Sequence, residues 1–243
     1  MTRMKRNSRA KPPSLFRYVN SSPKVIRLAV MMYVKYPLSL RDVEDLLFER
    51  GIDICHKTVR MWRNRFGPLF AGDIRRQRVS RMKGFRHWRW HLDETYVKLN
   101  GEMVYLWRAV DQEGEILESY VTKKRDKSAA LAFMKKALKR HGSPEAATTD
   151  GLRSYGAAMN ELGNSEKREV GRWANNRVKN SHLPFRRRER TMLRFRQMKT
   201  LQKFASVYAN VHSHFNQERH LVDRHTYKTR RSAALAEWQT LMS

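Results

Sequence analysis

The chain has little cysteine, few acids and no long apolar run, and each scarcity excludes a class of protein. Cys55 is the only cysteine among 243 residues, so neither an intrachain disulfide nor a multi-cysteine zinc site can form. The longest apolar stretch, Leu28 to Val34, is far too short to span a bilayer. The first dozen residues are basic and carry no apolar core, unlike a secretory signal. We therefore expect a cytoplasmic protein with no membrane partner.

Acidic residues are outnumbered, with 51 Lys and Arg against 23 Asp and Glu and a formal net charge of +28. Such an excess repels itself in a compact fold unless a polyanion neutralises part of it. Apolar residues make up 40% and aromatics 10%, which indicates a folded protein and not a disordered basic tail. Nucleic acid is therefore the expected partner, with binding that weakens steeply as salt is added. A membrane surface is the weaker alternative, because the charge is spread along the whole chain.

Residues 22–67 carry the start and stop signals of three helices. Ser39 and Asp42 have the spacing of a capping box, which starts the second helix. The third helix is predicted to run from His56 to Phe66, and Gly67-Pro68 is expected to close it.

The third helix has a basic face, on which Lys57, Arg60 and Arg63 recur every three residues. A helix, a tight turn and a second helix with a basic outer face form the helix-turn-helix layout that enters a DNA major groove. The alternative is a solvated face on a small bundle. The predicted amino-terminal organisation is a flexible basic arm (1–21), an all-α helix-turn-helix DNA-binding domain (22–67) and a basic linker (68–88).

From Trp90 onward the pattern changes to strands. Asn100-Gly101 is a hairpin signal between two alternating apolar segments, and a second turn near Gly114 adds a third antiparallel strand. The elements expected next are a helix capped by Asp126, a strand over 144–150, a helix over 155–162, a weak strand over 166–170 and a helix over 201–215. This order predicts the α/β class, a mixed sheet with helices on both faces.

Two aspartates are expected at this sheet, Asp93 inside an apolar strand and Asp150 at the end of another. A carboxylate there is costly to bury unless a cation meets it. If the two strands are neighbours, the carboxylates come together and can hold divalent ions for phosphodiester chemistry, as in the ribonuclease-H-like fold. Glu94 is expected on the opposite sheet face, because side chains alternate along a strand. The structural alternative is that Asp150 caps a turn and Asp93 pairs with an arginine.

Several segments resemble DDE transposases of bacterial insertion sequences, specifically the insertion-sequence-six family. They are His91 to Glu94, Asn100-Gly101, Tyr105 to Asp111, Thr149 to Tyr155, Arg172 to Arg177, Asn180 to His182 and Arg186 to Arg190. The resemblance implies a ribonuclease-H-like catalytic domain over 89–243, with Asp93 and Asp150 as catalytic residues that bind Mg²⁺ or Mn²⁺. It also implies DNA partners (terminal inverted repeats and target DNA), a homodimer or larger assembly, and a bacterial, nucleoid-associated location.

One position departs from that family, in which a glutamate directly before Asn-Ser-His is the third metal ligand. This chain has Lys179 there. A protonated lysine supplies no lone pair and repels cations. Glu189 is the next acid along the chain, but on a helix it is roughly 15 Å further along the axis. We therefore predict a transposase with weakened or lost catalysis; the alternatives are a non-catalytic DNA-binding inhibitor and, less favoured, a structure-selective nuclease.

The segment after Lys179 is rich in arginine, with Arg186, Arg187, Arg188 and Arg190 close together. The functional interpretation is phosphate contact that guides DNA into the active centre. The alternative is a solvated helical face.

Overall fold

The computed structural model describes residues 15–81, 89–171, 176–192, 195–216 and 222–242. Outside these ranges lie the predicted arm as far as residue 14, residues 82–88 of the predicted linker, and residues 172–175 of one resemblance segment. The elements are α1 (Pro23–Lys35), α2 (Leu40–Phe48), α3 (His56–Arg81), β1 (Arg89–Leu99), β2 (Glu102–Asp111), β3 (Ile116–Thr122), α4 (Lys127–His141), β4 (Ala146–Thr149), α5 (Arg153–Glu161), β5 (Arg168–Val170), α6 (Asn176–Arg190), α7 (Met198–Phe215) and α8 (Arg224–Thr240).

The first two helices begin as the sequence predicts. The Ser22 side chain accepts a hydrogen bond from the backbone of Val25 at the start of α1. Ser39 and Asp42 form a reciprocal capping box at the start of α2, which satisfies two backbone N–H groups that have no partner inside the helix.

The predicted end of α3 at Phe66 is wrong, because the helix continues through Gly67-Pro68 to Arg81. Pro68 has no N–H, so the carbonyl of Asn64 loses its helical partner. Lys203 of α7 donates to that carbonyl oxygen over 3.0 Å and replaces the missing bond. Buried side chains beyond the proline, including Phe70, hold the extension in the core. The first part of the predicted linker, residues 68–81, is therefore helical.

The sheet has five strands in the order β3-β2-β1-β4-β5. The first three strands pair antiparallel, whereas β4 pairs parallel to β1 and β5 parallel to β4. Asn100 and Gly101 both have positive φ, 51° and 92°, as the tight hairpin turn between β1 and β2 requires. The mixed sheet with the fourth strand beside the first is the predicted ribonuclease-H-like arrangement, so the fold class is confirmed.

Helices cover both faces of the sheet, and the described residues form two large hydrophobic cores and one small cluster. One core packs Trp90, Leu92 and Trp107 against α4 and α5. The other joins the opposite face, through residues such as Val97 and Leu106, to α6 and α7 and also to α1, α2 and α3. The amino-terminal helices therefore share a core with the sheet domain. Their division into a DNA-binding domain and a catalytic domain stays a prediction.

The last helix is tied to the first by hydrogen bonds between backbone and side chains. Trp238 donates its indole N–H to the carbonyl of Arg27, and the Arg27 guanidinium donates to the carbonyl of Leu241 over 2.5 and 2.8 Å. Within the ranges described above, we find no helix with the length and the apolar content to cross a lipid bilayer.

We expect His212 on α7 to make stability depend on pH. Burial, with Arg108 and Lys35 nearby, lowers its pKa from 6.5 to about 4. Between these values the unfolded chain binds a proton that the folded chain does not, so the free energy of unfolding falls as the pH drops from 6.5 towards 4. Relative to His212→Gln, the wild type should lose roughly 2–3 kcal/mol between pH 7.5 and 4.5, measured by urea unfolding. Parallel pH profiles for the two proteins would contradict this expectation.

Candidate active site

The structure brings Asp93 and Asp150 together at the carboxyl end of β4. Asp93 lies in the middle of β1, next to Leu92, whose partner on β4 is Thr149. Asp150 follows Thr149 directly and accepts a hydrogen bond from the backbone of Leu152. Because β1 and β4 run parallel, residues that follow the last paired positions lie side by side. The predicted proximity of the two aspartates is confirmed, whereas their catalytic role stays a prediction.

Glu94 joins the two aspartates, which the sequence analysis did not expect. Each of the three side chains offers a carboxylate oxygen, and these atoms all lie within 4.8 Å of one another. Asp93 and Glu94 do lie on opposite faces of the sheet. In the register of β1 with β2, Asp93 is opposite Arg108, and Glu94 is opposite the core residue Trp107. The β1–β4 pairing ends at Leu92, however, so the strand edge beside both acids is open towards Asp150.

Burial and mutual repulsion act on this acid cluster. Burial, followed by the charges of Glu94 and Asp150, raises the pKa of Asp93 to about 7. Burial also raises the pKa of Glu94, against the opposing effect of Arg125. Burial and the neighbouring acids thus disfavour the charged forms of Asp93 and Glu94, and a bound cation would relieve the repulsion among the three carboxylates.

Arg125, in the loop between β3 and α4, provides one counter-charge. Its Nε donates to Glu94 over 2.7 Å, and its guanidinium lies 4.0 Å from an oxygen of Asp150. The Glu94 side chain is only 2% exposed, whereas that of Asp150 is 26% exposed. Arg125 thus anchors the buried acid and leaves Asp150 partly accessible.

On the opposite side of β1, α6 and β2 surround Asp93 with nitrogen-bearing groups. His182 Nε2 lies 3.6 Å from an Asp93 oxygen, and burial together with Arg108 and Arg186 holds the pKa of His182 well below its usual value. His182 is therefore neutral at neutral pH and forms no ion pair with Asp93. Arg108 is fully buried and donates to the Ser181 carbonyl over 2.5 Å, which fixes α6 against the sheet.

Lys179 lies on α6 within electrostatic range of the acid cluster. Its positive charge lowers the pKa of Asp93, against the larger effects of burial and the neighbouring acids. Glu189, further along the same helix, is not among the clustered acids of the described residues. Helix α6 therefore contributes a positive charge to the surroundings of Asp93, and Lys179 stands at the position where the resemblance implies a glutamate.

The predicted DNA contacts on α3 differ in exposure. Lys57 and Arg60 are exposed, as a groove-binding face requires. Arg63 is half-buried, and its guanidinium lies 5.3 Å from the ring centroid of Tyr33. Arg63 therefore packs against α1, and the accessible basic face consists of Lys57 and Arg60.

The arginines of α6 also differ in how exposed their side chains are. Arg187 and Arg190 are exposed, whereas Arg186 donates to Thr95 and lies 4.8 Å from the ring centroid of Tyr96. Arg188 is only 1% exposed, and its Nε donates to the carbonyl of Tyr33 over 2.7 Å. This burial contradicts the predicted phosphate contact of Arg188, because its charge serves a carbonyl inside the fold.

Sequence reasoning missed Glu94, Arg125, Arg108 and His182. Glu94 was excluded by strand alternation, which holds for the backbone but not for flexible carboxylates at an open edge. Arg125 lies 31 residues from its partner Glu94, and no spacing rule relates a loop residue to a strand at that distance. His182 belongs to one of the segments that carry the family resemblance, Asn180 to His182, but nothing in the sequence places it beside Asp93.

Comparison with known proteins identifies a family over the part of the chain that contains the acid cluster. A family model described as the DDE domain matches residues 87–218. "Transposase for insertion sequence-like element IS431mec" of Staphylococcus aureus (strain Mu50) is 36% identical over 144 residues, 59% of this chain and 62% of that protein. "Transposase for insertion sequence element IS257 in transposon Tn4003" of Staphylococcus aureus is 35% identical, with the same coverage. The chain thus matches less than two thirds of these relatives' own length.

Among solved structures, the catalytic domain of Mos1 mariner transposase is similar at 12% identity with a TM-score of 0.31, covering 70% of this chain and 92% of that one. The match to the family model spans more than half of the chain and includes Asp93, Glu94 and Asp150. This protein therefore belongs to the DDE transposase family.

Proposed function

We propose that this protein is a DNA transposase of an insertion sequence, which binds terminal inverted repeats and carries out metal-dependent strand cleavage and strand transfer. The observation that carries the proposal is the cluster of Asp93, Glu94 and Asp150, with carboxylate oxygens all within 4.8 Å of one another. This cluster lies inside the segment that matches the DDE domain. A net charge of +28 supports DNA as the substrate.

The donor set fits a hard divalent cation. Carboxylate oxygens are the ligands that Mg²⁺ and Mn²⁺ prefer, and three of them lie within 4.8 Å of one another here. We propose Mg²⁺ as the ion, with Mn²⁺ as a substitute, and Asp93 and Asp150 as its main ligands. Such an ion, when bound, activates a water or a 3′ hydroxyl and stabilises the leaving oxygen. Glu94 is a further candidate ligand if Arg125 releases it.

The surrounding residues hold the acids in place and bind the substrate. Buried Arg108 fixes α6 beside β1 through the Ser181 carbonyl. Exposed Arg187 and Arg190 on the same helix are suited to phosphate contact next to the site, and Lys57 and Arg60 to contact with the repeat. Since transposition joins two DNA ends, we propose a homodimer or larger assembly that acts on the bacterial nucleoid.

Lys179 favours a second function, a non-catalytic DNA-binding inhibitor derived from a transposase. Its positive charge acts on Asp93, where an incoming cation would have to bind. Lys179 is exposed, so water screens this repulsion in part, but a positive charge beside a metal site still weakens metal binding. An inhibitor of this kind would occupy the repeats without cutting them, or would form mixed assemblies with active relatives.

The test uses a supercoiled plasmid that carries the terminal repeats of the element, with Mg²⁺ or Mn²⁺, and compares the wild type with Asp150→Asn. We expect the wild type to nick at the repeat ends and the variant to be slower by about 10³-fold, because it loses a ligand of the reacting ion. Fluorescence anisotropy should show equal affinity of both proteins for the repeats. Binding of repeats without nicking would favour the inhibitor, and no preference for repeats over scrambled DNA would refute both functions.

A further inference from the structure

One of the cavities of the molecule lies apart from the acid cluster, where the end of α1 meets α6 and α7. Its volume is about 300 Å³, which is within the range of small-ligand sites. Its walls are formed by Lys35, Tyr36, Pro37, Pro184, Arg187, Arg188, Tyr208, His212, Phe215 and Asn216. This pocket, called here the α1–α6–α7 pocket, is not part of the site described above.

The α1–α6–α7 pocket is built for a negatively charged ligand. None of the described residues that line it is acidic, whereas Lys35, Arg187 and Arg188 are basic. Arg188 is 1% exposed, yet within the described chain its Nη2 atom has no hydrogen-bond partner. His212 Nδ1 is likewise buried without a partner among the described residues. The Arg188 N–H group is a donor, and a buried donor is costly unless a ligand or water satisfies it.

The same pocket has flat apolar walls. Tyr36, Tyr208 and Phe215 contribute aromatic rings, and Pro37 and Pro184 contribute further apolar surface. The Lys35 ammonium lies 4.1 Å from the ring centroid of Phe215, so a cation and an aromatic ring are held next to each other. Aromatic rings beside cations are the combination that binds a nucleobase together with its phosphate.

The position of the pocket relates it to the acid cluster. Helix α6 carries Lys179 and His182 towards Asp93, and carries Arg187 and Arg188 to the wall of the pocket. His182 and Arg187 are separated by roughly 7.5 Å along the helix axis. Arg108 also lies within electrostatic range of both His182 and His212. His182 and Arg187 are also about 140° apart around the helix, so the acid cluster and the pocket lie on different sides of α6.

We propose that the α1–α6–α7 pocket receives the base and phosphate of a single unstacked nucleotide of the bound DNA strand. The inference rests on the proposed DNA-binding function and adds a contact to it. Stacking on Tyr36, the exposed aromatic residue of the wall, offsets the cost of removing the base from the helix, and Lys35 and Arg187 hold its phosphate. The occupied pocket would fix one nucleotide relative to Asp93 and Asp150.

The test measures binding of three fluorescein-labelled duplexes by anisotropy: fully paired, with one unpaired adenosine, and with one unpaired abasic site. The full-length protein should bind the adenosine duplex about tenfold more tightly than the abasic duplex, because only the former supplies a base to stack. Tyr36→Ala, an exposed wall residue, should abolish this preference. Arg190→Gln, on the same helix but outside the pocket, should weaken all three complexes and keep the preference.

The other possible results distinguish failure of the pocket proposal from failure of the proposed function. Equal binding of all three duplexes by the wild type overturns the pocket proposal and leaves the proposed function intact, whereas no binding of any duplex overturns the proposed function. Free dAMP, added as a competitor, separates a nucleotide within a strand from a mononucleotide ligand. If dAMP at micromolar concentration removes the preference, the pocket binds free nucleotides and the assignment to the DNA strand is wrong.

Discussion

Lys179→Glu should tighten Mn²⁺ binding by on the order of 10²-fold and raise repeat-end cleavage by a similar factor. The substitution replaces a positive charge that acts on Asp93 by a fourth carboxylate next to Asp93, Glu94 and Asp150. Two unit charges about 4 Å apart interact by about 4 kcal/mol at the effective dielectric of a protein surface, and about two thirds of that value corresponds to a hundredfold change. Calorimetry or electron paramagnetic resonance of Mn²⁺ measures binding independently of cleavage.

Lys179→Met is the matched control, because it removes the charge without adding a ligand. We expect it to tighten Mn²⁺ binding by about tenfold, since repulsion is lost, and to leave cleavage close to that of the wild type. Equal cleavage by the Met and Glu variants would show that a carboxylate at position 179 is not needed. A wild type that already binds Mn²⁺ and cuts as well as Lys179→Glu would show that the site is not damaged.

The acid pair could be predicted because its chemistry is visible in the sequence. Asp93 interrupts an apolar strand, and burying a carboxylate there costs free energy unless a cation or hydrogen-bond donors compensate it. The strand order then placed Asp150 beside it. Glu94 and Arg125 could not be predicted in the same way, because their contact depends on where β4 ends and on the path of the loop before α4. Strand periodicity carries no information on either.

Helix ends and side-chain directions were the least predictable features. Gly67-Pro68 has the local pattern of a helix end. Lys203, which is distant in the sequence, nevertheless supplies the hydrogen bond that the proline removes. Arg188 was predicted on the surface because it stands in an arginine-rich run. An arginine-rich segment does not indicate which side chain faces inward. Arg188 faces inward because it donates to the carbonyl of Tyr33.

Arg188→Ala should lower the free energy of unfolding by about 3–5 kcal/mol. The carbonyl of Tyr33 lies four residues before Pro37, which has no N–H, so α1 cannot satisfy it. Arg188 donates to this oxygen over 2.7 Å, and its guanidinium lies 4.1 Å from the Tyr33 ring centroid. Truncation leaves a buried acceptor without a donor and also leaves a cavity.

Arg187→Ala is the control for this prediction, since it changes the adjacent arginine of the same helix. Arg187 is exposed, so its loss should change stability by less than about 0.5 kcal/mol while weakening DNA binding. Urea unfolding and anisotropy measure the two effects separately. Arg188→Met, which fills the space without donating, should recover the cavity part of the loss but not the hydrogen bond. Similar stabilities for the two alanine variants would mean that both arginines merely line a solvated helical face.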